Sequence, residues 1–289
     1  MAMTWGSKPI MQNVGTIAQV VTNNATSFAY TTIFATNMHG DIFEFQSGSQ
    51  TKIFTGDGSG PSKLAHDGTR LYAAFNGKVF TDTSGIYIYR LGAGANPWIA
   101  VQVNDLDLLD LIAANGYVYT HYPAGILRMY GGSNTWEKIG GPGRKFACND
   151  HDVVGIGGPD DHVFRHTSGL NWPPIRPTPT GDIVARGSMI CAINKQLGDI
   201  LSGHIFQFIS NSWTHIGTPG KMFAIDDRSR LYGLTLDGSK IFQYSGQPDN
   251  WGTTPVGPTP AGQIFAGANV LCATSPDNTL LFVRRDETL

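Results

Sequence analysis

Charge is scarce in this chain. Charged residues make up 15% of the 289 positions, and the formal net charge is −2, against roughly 25% charged residues in an ordinary soluble domain. No basic cluster stands anywhere, and a nucleic-acid binder needs a positive footprint for phosphates, so that class is excluded. No apolar run approaches the roughly 18 residues of a membrane-spanning helix. The N-terminus lacks the basic stretch and apolar core of a secretory signal, so a cytoplasmic location is expected. Cysteine is rare too. Cys148, Cys191 and Cys272 are odd in number, far apart and set in apolar runs, which reads as buried free thiols in a reducing compartment.

Chemical motifs are equally sparse. There is no Cys-x-x-Cys pair and no His-x-x-x-His on a helical pattern, so zinc has no support. Asp105, Asp107 and Asp110 alternate, but the glycine and terminal glutamate of a calcium loop are missing. No Gly-x-Ser-x-Gly elbow or Walker loop is present. Glycosidase chemistry needs two carboxylates in a cleft, and nothing singles out such a pair. A non-enzymatic protein without metal or cofactor is expected. Convincing helical periodicity is also absent.

Turn formers are plentiful: 36 glycines and 16 prolines. Such a composition favours many short strands joined by tight turns. An internal repeat organises them. An apolar residue followed by alanine recurs at Ile17-Ala18, Leu64-Ala65, Ile112-Ala113, Phe146-Ala147, Val184-Ala185, Phe223-Ala224 and Phe265-Ala266. Each pair is followed by a second apolar run (Ile33-Phe34-Ala35, Val153-Val154-Gly155), then a third with period 2 (Ile42 to Phe45, Ile205 to Phe208). A fourth usually opens on tryptophan: Trp98, Trp136, Trp172, Trp213 and Trp251. Four short strands per ~40 residues is the signature of a β-propeller.

The pattern predicts one all-β domain over 1–289: a seven-bladed β-propeller of four-stranded antiparallel blades. The last blade has no fourth strand of its own, and the segment Trp5 to Ile10 has no preceding three. Joining this N-terminal strand to the C-terminal blade closes the ring and removes an open edge. The seven alanines are expected to be buried or to face the central channel, where large side chains would collide.

The units Trp136-Glu137-Lys138-Ile139-Gly140-Gly141-Pro142-Gly143-Arg144-Lys145-Phe146-Ala147 and Trp213-Thr214-His215-Ile216-Gly217-Thr218-Pro219-Gly220-Lys221-Met222-Phe223-Ala224 resemble the tectonin repeat. The resemblance runs from about Trp98 to Leu289 and is weaker in the first two blades. Val154, Tyr232 and Cys272 stand near the place where that family often carries a second tryptophan. It implies a propeller lectin that recognises glycans or glycoconjugates, O-methylated ones among them, in defence or aggregation.

A sugar site needs an aromatic face and a few amide or carboxylate groups for hydroxyls. The loops before the fourth strands pair asparagine with tryptophan. The expected ligand residues are Trp98, Trp136, Trp172, Trp213 and Trp251, with Asn134, Asn211 and Asn250. From the loops after the first strands come Asp150 and Asp227. Blade packing competes for the tryptophans, and turn formation for the asparagines and aspartates. A multivalent lectin, monomeric or a small homo-oligomer, is the expected function. The alternative is a cytoplasmic protein-interaction scaffold, which would concentrate binding on unique loops such as 78–85 and 195–203.

Overall fold

The computed structural model describes residues 8–23, 31–56, 58, 63–66, 70–75, 87–91, 98–102, 108–130, 135–195, 201–252, 260–267 and 270–284. Among them are 26 strands, every paired strand antiparallel to its neighbour, and no helix. Tight turns set the local order. At Asn115-Gly116 both residues have positive φ, 54° and 71°, the backbone twist that joins Asp110–Ala114 to Tyr117–Tyr122 as a two-residue hairpin.

The strands form seven sheets, five of four strands and two of three among the described residues. Within each sheet the strands follow chain order. The innermost are Ile17–Thr22, Lys63–His66, Asp110–Ala114, Lys145–Cys148, Thr180–Arg186, Met222–Ile225 and Ile264–Gly267. Each contacts its counterpart in the sheets before and after it, and the last contacts the first. This is an all-β propeller. Second strands such as Ile33–Asn37 and Val270–Thr274 are buried throughout, because sheets cover both faces. The outer strand Ser49–Phe54 is largely exposed.

Four full strands per sheet is not the rule throughout. In the sixth sheet the fourth position is a single bridge, Trp251 to Tyr244, and in the seventh it is Met11 bridged to Leu281. Ile10 N–H donates to the Leu281 carbonyl at 2.8 Å, and Leu281 N–H returns to Met11 at 3.2 Å. Of the predicted N-terminal strand, Trp5 to Ser7 lie outside the described residues. The predicted fourth strand at Trp172 begins at Pro174 instead.

None of the seven alanines is exposed. Ala65 and Ala147 are buried, and Ala18, Ala113, Ala185, Ala224 and Ala266 are half-buried. Their side chains point between sheets: Ala65 packs in one cluster with Ala113, Ala147 with Ala185, and Ala224 with Ala266. The pairs bridge the second and third, fourth and fifth, and sixth and seventh sheets. The apolar-alanine pair therefore marks two positions, facing the following sheet at Ala65, Ala147 and Ala224 and the preceding one at Ala113, Ala185 and Ala266. Bulges account for part of the offset, since register shifts at Ile17/Gln19 and Thr180/Asp182 move the sequence by one position. Propeller strands present an edge to the axis and side chains to neighbouring sheets, so small residues serve inter-sheet contact near the centre.

Candidate functional site

Three of the tryptophans, Trp172, Trp213 and Trp251, are half-buried clamps between sheets. Trp172 of the fourth sheet donates its indole N–H to the Ile139 carbonyl of the third at 2.6 Å. Trp213 of the fifth donates to Ile175 of the fourth at 2.9 Å, and Trp251 of the sixth to Ile216 of the fifth at 2.8 Å. The same bond thus recurs across three successive interfaces, each satisfying a carbonyl of an outer strand and contributing about 1 kcal/mol net. The residue after each accepting isoleucine is Gly140, Arg176 or Gly217. A Cβ on Gly140 would lie 2.9 Å from the Trp172 indole nitrogen, and one on Gly217 would collide with Trp251. Trp136 packs between the second and third sheets. Trp98 opens the strand Trp98–Gln102; its side chain lies outside the described residues.

Two cavities open beside these clamps at equivalent places in the repeat. The larger, about 500 Å³, lies on the face of the sixth sheet that is turned toward the fifth, beside the loop joining the two. It is walled by Phe223, Phe242 and Trp251, floored by Gly233, and edged by Thr218-Pro219-Gly220, with Thr235 and Asp249 supplying polar side chains. The smaller, about 230 Å³, lies between the third and fourth sheets, where Phe146, Phe164, Trp172, Gly155 and Gly141-Pro142-Gly143 take the corresponding places. Phe146 meets the Trp172 ring edge-on at 5.5 Å, and Phe223 lies 6.0 Å from Trp251. No side chain lining the smaller cavity can donate or accept a conventional hydrogen bond, apart from the indole of Trp172, already engaged by Ile139.

Supporting bonds hold these walls. His121, 1% exposed, bonds Gly143 O through Nε2 at 2.9 Å and meets Phe146 edge-on at 4.7 Å. Burial lowers its pKa from the usual histidine value. Beside the larger cavity, Asp249 lies 3.3 Å from His215 Nδ1, and His215 Nε2 lies 2.8 Å from His204 Nδ1.

Of the expected ligand residues that are described, Trp172 and Trp251 stand in the walls of these two cavities. Trp213 lies under the Arg176 guanidinium. Asn211 has φ +64° and sits in the tight turn before Ser212–Gly217. Asn250 N–H donates to Gln247 O at 3.0 Å and its carbonyl accepts from Ser245 N–H at 3.0 Å. Both asparagines make turns. Asn134 lies outside the described residues. Asp150 is exposed, its pKa raised by partial burial and by Asp227 nearby; Asp227 pairs with Arg186. Neither lines these two cavities. Loop 78–85 and residues 196–200 of loop 195–203 are also outside the described residues.

What sequence reasoning missed is the phenylalanine set and Asp249. The repeated Gly-x-Pro-Gly-x-x-Phe stretches carried that signal, since a phenylalanine conserved between two repeats beside a glycine-rich turn marks a wall with space next to it.

The three cysteines are buried and free. Burial pushes the Cys148 and Cys272 thiols up to about 12 and Cys191 further, so none is poised as a nucleophile. Among the described residues no cluster of histidine, cysteine or carboxylate side chains could hold a metal ion, and no helix is long and apolar enough to cross a membrane.

No protein-family model matches the chain, and no curated protein matches it. Solved structures do. The chain resembles YCF48 from Cyanidioschyzon merolae with a TM-score of 0.65 at 12% identity, over 100% of both chains. It resembles YCF48 bound to D1 peptide with a TM-score of 0.63 at 12% identity, over 99% of this chain and 96% of the other. The WD40 β-propeller domain of Doa1 gives 0.61 at 11% identity, over 96% and 95%. At these identities the likeness establishes the propeller fold.

Proposed function

We propose that this protein is a non-enzymatic binding propeller that docks a peptide or protein segment, with the two aromatic cavities as its anchor points. The observation that carries this is the lining of the smaller cavity: aromatic rings, aliphatic side chains and glycines, without a free side-chain hydrogen-bonding group. Such a wall suits an inserted side chain, whereas a polyol would find no side-chain partner there for its hydroxyls. Inter-sheet clamps keep the walls rigid, which lowers the ordering cost of binding. The YCF48 neighbour with a bound D1 peptide is in keeping with this use of the fold. We read the seven sheets as seven blades of one ring, completed at its last blade by the N-terminal segment at Met11, and place the protein in a reducing compartment.

The test is selection on a random-peptide display library, followed by Phe164→Ala and Phe242→Ala. Peptides whose binding survives both substitutions in folded protein would overturn the cavities as anchors. A second reading, the multivalent lectin, draws on the larger cavity, where Thr218, Thr235 and Asp249 stand beside Trp251, and on the tectonin resemblance. A glycan array decides it: specific glycans captured by the native protein and lost in Asp249→Asn would favour the lectin over the peptide scaffold.

A further inference from the structure

The interface between the fourth and fifth sheets has the same tryptophan clamp as its neighbours, but the space beside it is filled. Arg176 stands where the flanking interfaces have Gly140 and Gly217; its strand position opposite Val163 matches theirs opposite Ile126 and Ile205. Its guanidinium lies 4.5 Å from the Phe206 centroid and 5.2 Å from Trp213. It donates to Thr180 Oγ1 at 3.0 Å and Asn194 Oδ1 at 2.5 Å, and the residue is 3% exposed. Phe206 and Trp213 are the repeat counterparts of Phe242 and Trp251 in the larger cavity. The chain thus holds a guanidinium of its own in the place that the larger cavity leaves open.

We infer that the larger cavity binds a guanidinium side chain, an arginine of a partner peptide, with Arg176 as the internal template for the geometry. This deepens the peptide-docking reading and rests on it. Aromatic faces attract a planar cation through their quadrupole, more strongly when water is displaced. The larger cavity adds what the template site lacks on its aromatic side: Asp249, an exposed carboxylate in the lining, 61% accessible at its side chain. No lysine or arginine lines it. The smaller cavity has the rings but no carboxylate, so it is the weaker cation site and serves as an internal control.

The probes are three capped tripeptides, Gly-Arg-Gly, Gly-citrulline-Gly and Gly-Leu-Gly, titrated into the full chain while the indole N–H resonances of Trp251 and Trp172 are followed by NMR. Citrulline keeps the shape of arginine and removes the charge. The arginine peptide is expected to shift Trp251 and to bind about tenfold more tightly than the citrulline peptide. Asp249→Asn, a change at an exposed turn, should remove most of that difference. Equal binding of arginine and citrulline peptides, or tighter binding of the leucine peptide, would overturn the cation inference and leave peptide docking standing. If no tripeptide perturbs either tryptophan, both fall.

Discussion

Gly140 and Trp172 belong to different sheets, yet they are fitted to each other so closely that one methyl group cannot come between them: a Cβ on Gly140 would stand 2.9 Å from the indole nitrogen. That nitrogen donates to the carbonyl of Ile139, the residue before the glycine. Gly217 and Trp251 repeat the relationship two sheets on. Gly140→Ala and Gly217→Ala should each destabilise by about 1–3 kcal/mol, combining overpacking with a strained hydrogen bond. Chemical denaturation of the two variants checks this; unchanged midpoints would remove the clamp from the account.

Trp172→Phe removes the indole N–H together with the pyrrole part of the ring that packs against the buried cluster of the third and fourth sheets. It leaves the Ile139 carbonyl without its partner and should cost about 1–3 kcal/mol. Ile139 belongs to the cluster that Trp172 packs against, so a double-mutant cycle of Trp172→Phe with Ile139→Ala should be non-additive by about 0.5 kcal/mol or more; strictly additive losses in chemical denaturation would show that the two do not act together.

Ala147 and Ala185 share the tight contact between the fourth and fifth sheets. Ala147→Leu should destabilise by about 1–3 kcal/mol, because close-packed interiors accommodate added methylenes poorly. A melting temperature equal to that of the native chain would show that the interface has unfilled room.

His121 is held neutral by burial, with its folded pKa below the usual 6.5. The unfolded chain then binds a proton more readily than the folded one, so the neutral ring's advantage is intact above pH 6.5. It is lost as the pH falls through the folded pKa. Thermal unfolding between pH 7.5 and 5 should show a drop in Tm that is smaller in His121→Gln, whose own stability is lower but flatter over this window. Identical slopes for both proteins would assign the drop to other groups.

The buried thiols make a simple chemical prediction. With Cys148 and Cys272 pushed up to about 12, an aromatic disulfide reagent at pH 8 should label no cysteine in the native state and all three in denaturant. Rapid labelling of a single thiol under native conditions would contradict the burial of that strand.

Much of the architecture was legible because it is written in short-range chemistry. Alternation, β-branched runs and paired turn residues such as Asn115-Gly116 depend only on neighbours in the chain, and they located the strands closely. The alanine repeat covers two positions, and the bulge at Thr180/Asp182 shifts which face a residue presents in the fifth sheet without altering the local pattern. The aromatic residues were the hardest case. A tryptophan before an outer strand looks the same whether it packs against the next sheet, as Trp213 does under Arg176, or walls an open cavity, as Trp251 does beside Asp249.

The sequence by itself determined the repeat, the strand content and the scarcity of charged groups, because each of these is set by composition and by periodicity over a few residues. Only the tertiary structure decided where space remains. Whether space stays open beside a sheet depends also on what the neighbouring sheet sends across, as Arg176 of the fourth sheet does onto Phe206 and Trp213 of the fifth, and no pattern along a single strand records that.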